Sequence, residues 1–255
     1  MEPLLLVKNV EKAYGKGVNV FNALENISFE IDHGEFVGVM GPSGAGKSTL
    51  LNILATIDTP TSGDILIGTD NIAKMDEEKL ADFRRDHLGF IFQDYNLLDS
   101  LTVRENILLP LAIAKKKPAV IKERVEEIAA TFGISNLLDK YPYQISGGQK
   151  QRTAASRALI SKPKIIFADE PTGALDSKSA TDLLESMSSL NEKHEATIMM
   201  VTHDAYAASF CRRILFIKDG QLSKEILRGR KTRKEFFQMI LDELSQVGGE
   251  TNDVI

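Results

Sequence analysis

The chain has 255 residues with 31 Lys+Arg against 36 Asp+Glu, a net charge of −5, and is 43% hydrophobic and 26% charged. That length suits one large or two small domains around a sizeable core, and the composition excludes disordered and collagen-like classes. The mild acidity argues against a nucleic-acid partner held by bulk charge. A single cysteine, Cys211, cannot close an intramolecular disulfide and points to a reducing compartment. The start, Met1-Glu2-Pro3, has an acid where a signal peptide carries positive charge. The longest apolar stretch, Ile107 to Ala114, is far short of the roughly 20 residues that span a bilayer.

In chain order, Leu4-Leu5-Leu6-Val7 predicts a short strand, and Leu24, Ile27, Phe29 and Ile31 give near-alternation over Ala23–Asp32. Phe36–Met40 is apolar throughout, as in a strand buried on both faces. It runs into glycine-rich Gly41–Gly46 and a helix-like stretch, Thr49–Thr56. Ile65–Ile67 is another short strand between turn sequences. Asp76–Arg85 has its acids first and arginines last, matching a helix dipole. Leu88–Phe92 is a short strand, and Thr102 stands where it would cap a helix through Ala114. Lys115-Lys116-Lys117-Pro118 breaks that helix in a solvated loop, and Ile121, Val125, Ile128 and Phe132 stripe the next one.

From Pro163 strand and helix alternate again. Ile165–Ala168 and Thr197–Val201 are buried strands, with Ser177–His194 a helix between them. Ile214–Ile217 and Gln221–Ile226 form a hairpin across Asp219-Gly220. This order predicts an α/β core with parallel strands and a helical insertion over roughly 75–160. Residues 228–255 make an appendix: a basic run, Arg228–Lys234, read as a solvated linker; a helix with Phe236, Phe237, Ile240, Leu241 and Leu244 on the face that packs on the core; and a polar tail.

Three segments carry chemistry. Gly41-Pro42-Ser43-Gly44-Ala45-Gly46-Lys47-Ser48 fits G-x-x-x-x-G-K-[ST] between a buried strand and a helix. Its glycines let backbone N–H groups turn toward phosphate oxygens, while Lys47 offers charge to the β/γ-phosphates and Ser48 a hydroxyl to Mg²⁺. Asp169 and Glu170 end a buried strand, where the first is placed to hold Mg²⁺ and the second to polarise a water. Ser146-Gly147-Gly148-Gln149 opens a helix and is a second candidate anion site without a lysine. One nucleotide has one γ-phosphate, so two such sites imply either two ligands or a dimer in which they meet. His203, at the end of a strand, takes its meaning from its neighbours.

On these residues the chain resembles the nucleotide-binding subunits of ABC transporters, over about residues 4 to 227. Gly41–Ser48 looks like Walker A, Gln93 like the Q-loop and Ile145–Gln149 like the signature motif, with Ile145 replacing the commoner leucine. Ile165–Glu170 looks like Walker B with its catalytic glutamate, Ala174-Leu175-Asp176 like the D-loop, and His203 like the switch histidine. The resemblance implies a P-loop NTPase fold: a RecA-like core with an antiparallel β-subdomain and the helical subdomain at 75–160. It implies ATP and Mg²⁺ as ligands, with Tyr14 stacking on adenine. ATP would lie between Gly41–Thr49 of one copy and Ser146–Gln149 of another in a head-to-tail homodimer closed by ATP. Glu170 would activate water, His203 contact the γ-phosphate, and Gln93 sense it through Mg²⁺, which Ser48 and Asp169 would also hold.

Finer likeness in Leu88–Gln93, Asn96-Leu97-Leu98 and Ala168–Gly173 is to the branch serving lipoprotein-release, macrolide-efflux and cell-division permeases. Within it, His87–Leu98, Gly173–Ser179 and Phe216–Gln221 are very similar to the ATPases of the bacitracin-resistance group. That group pairs two ATPase subunits with one permease bearing a large extracellular domain and signals to a sensor histidine kinase. It implies a cytoplasmic protein, peripheral on the membrane through its permease. A lipoprotein-release or cell-division role keeps the same chemistry. A soluble ribosome- or DNA-acting relative would carry two cassettes or a long coiled coil, whereas here there is one cassette, and Ser146 follows Lys47 by 99 positions.

Overall fold

The structure, a computed structural model, describes residues 2–249. Among these residues ten strands and eight α-helices follow one another, with four short 3-10 turns between them: β1 (Leu5–Tyr14), β2 (Phe21–Ile31), β3 (Phe36–Met40), α1 (Lys47–Leu54), β4 (Ser62–Ile67), β5 (Asp70–Asn71), α2 (Glu77–His87), β6 (Leu88–Ile91), α3 (Val103–Ile113) and α4 (Pro118–Thr131). The chain continues with α5 (Gly147–Leu159), β7 (Ile165–Asp169), α6 (Ser177–His194), β8 (Ile198–Val201), α7 (Ala205–Ala208), β9 (Arg213–Lys218), β10 (Gln221–Leu227) and α8 (Arg233–Gly249).

A six-stranded sheet of order β10-β9-β3-β8-β7-β6 is parallel except for its β9–β10 hairpin, and a four-stranded antiparallel sheet has order β2-β1-β4-β5. The large sheet is covered on both faces, and its side chains alternate between two apolar clusters with the period of a strand. Phe36, Met40, Ile166, Ala168, Ile198 and Met200 point to one cluster, packed by α3 to α6 and α8. Val37, Val39, Ile165, Phe167, Met199 and Val201 point to the other, shared with α1 and the antiparallel sheet. The central strands β3, β8 and β7 are parallel neighbours, so their carboxyl ends emerge together at one edge. That edge is where α/β sheets present ligand sites.

Most predicted elements stand within a residue or two of their expected bounds. Thr102 caps α3 through a reciprocal box with Glu105, and Asp76 caps α2. Asp219 and Gly220 both take positive φ, the geometry of a two-residue hairpin turn. Strand β1 is longer than its apolar start implies. It continues through Lys8 and Asn9 because β2 and β4 pair with it on both sides, and a register shift at Asn9, φ 47°, absorbs the lost alternation. Strand β6 lies inside the range 75–160 yet pairs with β7 in the core sheet. The helical excursion therefore leaves the sheet after Ile91 and rejoins it at Ile165.

In the appendix, Phe236 and Ile240 are fully buried in the α3–α6 cluster, with Phe237 and Leu244 packed against it. Leu241 departs from the expected apolar face and is 38% exposed. The basic run is more structured than a solvated linker. The Arg233 guanidinium lies 4.2 Å above the Phe210 ring, and Arg228 Nε donates to the Lys231 carbonyl. Of the expected polar tail, residues 250–255 lie outside the described residues. Among the described residues, no helix is long and apolar enough to cross a membrane.

Candidate functional site

The turn from β3 into α1 forms a cavity of about 480 Å³, lined by Ser43 to Thr49, Glu170 and His203 among others. Two glycines make this turn possible. A Cβ on Gly41 would stand 2.0 Å from the Ile217 carbonyl oxygen, and Gly46 caps α1 at φ 101°. Because Gly46 has no side chain, the first N–H groups of α1 carry no side-chain cap. Lys47 folds back inside the turn, its Nζ donating to the carbonyls of Gly41 and Pro42 at 2.8 Å each. Burial lowers the Lys47 pKa, against the pull of Glu170 and Asp169. A half-buried cation beside uncapped N–H groups is a preorganised receptor for a polyphosphate.

Opposite stands the end of β7. Burial raises the Asp169 pKa, the adjacent Glu170 adds to the rise, and Lys47 opposes it. Glu170 takes φ 43°, a left-handed conformation unusual outside glycine. Its backbone N–H donates to the Val201 carbonyl at 2.9 Å, which ties it to β8. One carboxylate oxygen accepts from Thr202 Oγ1 at 3.2 Å. The other accepts from the His203 N–H at 3.0 Å and meets His203 Nδ1 at 2.8 Å. Glu170 and His203, distant in sequence, thus form one hydrogen-bonded pair at the cavity wall.

Gln93 sits against the turn after Glu170, where a Cβ on Gly173 would come within 3.2 Å of its side-chain nitrogen. Ser146 caps α5 in a reciprocal box with Gln149, accepting from Gln149 N–H at 3.3 Å. Gly147 packs beside the Tyr95 hydroxyl and Gly148 against Ser179, whose Oγ donates to Asp176 at 2.7 Å. Asp176 also caps α6, accepting from Lys178 and Ser179 N–H. None of Ser146, Gly147, Gly148 and Gln149 lines the Lys47 cavity of its own chain.

Tyr14 is anchored at the rim. Its hydroxyl donates to Asp58 Oδ2 at 2.7 Å, and Lys12 Nζ lies 4.7 Å over its ring while bonding Asp58 Oδ1. Burial and Asp58 raise the Tyr14 pKa. Phe21 faces Tyr14 across the β1–β2 ladder, is 63% exposed, and lines the Lys47 cavity.

A family profile described as "ABC transporter" matches residues 24–173. The chain is 54% identical over 254 residues to the ABC transporter ATP-binding protein YxdL of Bacillus subtilis (strain 168), covering 100% of this chain and 98% of that protein. It is 52% identical over 250 residues to the bacitracin export ATP-binding protein BceA of Halalkalibacterium halodurans, covering 98% and 99%. This chain belongs to the ABC transporter family. A solved relative is the dimeric post-hydrolysis structure of the ATP-binding cassette MJ0796, of Methanocaldococcus jannaschii, bound to ADP and Pi. It is 41% identical, with a TM-score of 0.79 over 88% of this chain and 98% of that one. The fold is that of an ABC ATPase, and the protein is an ATPase subunit of the exporter type.

Three residues of this ABC ATPase escape sequence reasoning. Phe21 precedes the strand expected over Ala23–Asp32, and the β1–β2 register puts it opposite Tyr14. Thr202 is wholly buried and grips Glu170. Gln151 is wholly buried on α5 and bonds two loop carbonyls. Only its place two residues after Gln149 hinted at a shared site.

Proposed function

We propose that this ABC ATPase binds MgATP with Gly41–Thr49 of one copy facing Ser146–Gln149 of a second, and hydrolyses it to drive a membrane permease conferring resistance to bacitracin or a related antimicrobial peptide. One observation carries this reading: Lys47, Glu170 and His203 converge on a single cavity, while the second anion-binding segment stands outside it. A second copy supplies that segment, in keeping with the dimeric ADP- and Pi-bound relative. Tyr14 and Phe21 offer the base an aromatic platform at the rim.

Ser48 and Asp169 suit Mg²⁺, which takes a hydroxyl, one or two carboxylates and phosphate oxygens rather than a full protein cage. When bound, the ion would neutralise phosphate charge and orient the terminal phosphoryl group. Glu170 orients the attacking water and accepts its proton. Thr202 and His203 hold its carboxylate, and His203 reaches the γ-phosphate from the same wall. Gln93 approaches from the Gly173 side and reports the state of the phosphate. Asp176 shapes the Ser146 end by holding Ser179 beneath Gly148.

The functional division is a nucleotide-binding domain over residues 1–227, its helical subdomain lying within 75–160, and an appendix over 228–255. An apolar groove of about 640 Å³, lined by Phe90, Phe92, Leu109, Ile113, Arg84 and Arg157 among others, is the face this reading assigns to the permease. This keeps the protein cytoplasmic and peripheral on the membrane. The permease bears a large extracellular domain, recognises the peptide, and links the ATPase to a sensor histidine kinase. Support for the cargo comes from the bacitracin export relative, similar over nearly its whole length.

Glu170→Gln tests the chemistry. It retains ATP binding, loses about 10²–10⁴-fold in steady-state hydrolysis as expected for a lost general base, and shifts with ATP from monomer to dimer in light scattering. Near-normal turnover removes Glu170 from this role. Capture of the tagged variant with ATP from solubilised source membranes, read by mass spectrometry, tests the cargo. A permease with a large extracellular domain supports peptide resistance. A cell-division or lipoprotein-release permease reassigns the task and leaves the ATPase chemistry in place.

A further inference from the structure

We propose that Gln151 is a positioning residue for hydrolysis, fixing the Gln93 loop and the Glu170 loop to the helix that begins at Ser146. This rests on the roles proposed above for Gln93 and Glu170. Gln151 lies on α5 with its side chain 0% exposed. Its amide nitrogen donates to the Phe92 carbonyl at 3.2 Å and to the Pro171 carbonyl at 2.8 Å. Phe92 directly precedes Gln93, and Pro171 directly follows Glu170.

Both partners can only accept, so the amide has one orientation and both its N–H bonds are committed. That orientation leaves Gln151 Oε1 buried with no hydrogen-bond partner among the described residues. An apolar side chain of similar size would remove that orphan but strand the Phe92 and Pro171 carbonyls in its place, so the amide's two bonds are what this position supplies. The amide accomplishes what leucine does not: it makes the two loops move with α5.

The link acts twice on Gln93. Through the Phe92 carbonyl it sets the backbone that carries Gln93. Through Pro171 it sets the turn whose Gly173 meets the Gln93 side chain, and whose Gly173 N–H also donates to the Glu170 carbonyl at 3.0 Å. Along α5, Gln151 lies five residues beyond Ser146, about 7.5 Å of helix rise. A phosphate engaged at the start of α5 by a facing copy thus bears, through one rigid stretch, on both groups that flank the water.

The test is Gln151→Leu in the full chain, with ATPase kinetics and thermal melting measured together. The expected result is a kcat reduced about 10–100-fold, the range of a small misplacement of reacting groups, with KM for ATP changed less than twofold and a Tm that falls, because two loop carbonyls lose their donor, but stays above the assay temperature. In a Gln93→Ala background the same substitution costs less than threefold, because the two act through one another. A folded Gln151→Leu protein with kcat within twofold of the parent overturns the proposal, as does an equal fractional loss in the Gln93→Ala background. Gln151→Met, unbranched and closer in shape, carries the same readouts if the leucine variant does not fold. Nucleotide affinity and Glu170→Gln turnover, measured alongside, do not depend on Gln151. A failed ATPase reading and a failed positioning role therefore separate.

Discussion

The molecule presents two glycine-rich helix starts that receive different treatment. At α1 the cap is Gly46, no side chain occupies the first N–H groups, and Lys47 is drawn in beside them. At α5 the cap is Ser146, whose hydroxyl and Gln149 satisfy each other's backbone, and no cation stands within the motif. The first presents a cation and uncapped N–H groups to an anion. The second is self-satisfied, leaving Gly147 and Gly148 to offer backbone N–H groups, with Gly148 seated on Ser179. Under the proposed function the first end binds nucleotide within one copy, and the second, which its own caps keep ordered, is brought to it by the facing copy.

Breaking the α1 side should have the largest effect. Lys47→Ala removes the cation from the phosphate receptor and lowers ATP affinity roughly a hundredfold or more, the scale of truncating one partner of a buried charge pair. Isothermal titration with ATP measures it, and unchanged affinity would dissolve the contrast. The α5 side should respond differently. Ser146→Ala keeps monomer affinity for ATP, weakens hydrolysis and ATP-driven dimerisation, and loses a cap worth about 1 kcal/mol, or a Tm drop of about 2–4 °C. A fall in monomer affinity would show that the two helix starts are not independent.

The smallest effect sharpens the electrostatics of the α1 cavity. Asp169 holds its proton more tightly in the folded chain than its ordinary value of 3.8, so folding takes up a proton in that interval and stability falls as pH rises through it. Asp169→Asn removes this penalty. Nucleotide-free Asp169→Asn should melt higher than the parent at pH 8, and the difference should shrink toward pH 4. If Asp169 holds Mg²⁺ as proposed, the same substitution should abolish hydrolysis. A variant that melts lower at pH 8 would mean that Asp169 is stabilising as a carboxylate.

Much of this could be read along the chain because local chemistry coincides with tertiary role. Phe36–Met40 is apolar at every position because both its faces are covered. Thr102 with Glu105, and Ser146 with Gln149, pair three residues apart as capping boxes. What escaped has partners far away in sequence. β6 joins the core sheet through β7, some seventy-five positions later. Leu241 satisfies a helical periodicity yet faces outward, because Phe236 and Ile240 set the angle at which α8 meets the core. Arg233 finds Phe210 across a fold that no charge count reveals.

The glycine-rich turn, the order of strands and helices, and the acid pair at the end of β7 are legible along the chain, since each is written in contiguous residues whose backbone and charge act locally. Long-range packing alone sets Glu170 on Thr202 and His203, Phe21 opposite Tyr14, and Gln151 between Phe92 and Pro171. Those pairings come from parallel strands delivering their ends to one edge and from a buried amide satisfying whichever carbonyls the packing leaves beside it. Neither leaves a periodic trace in the chain.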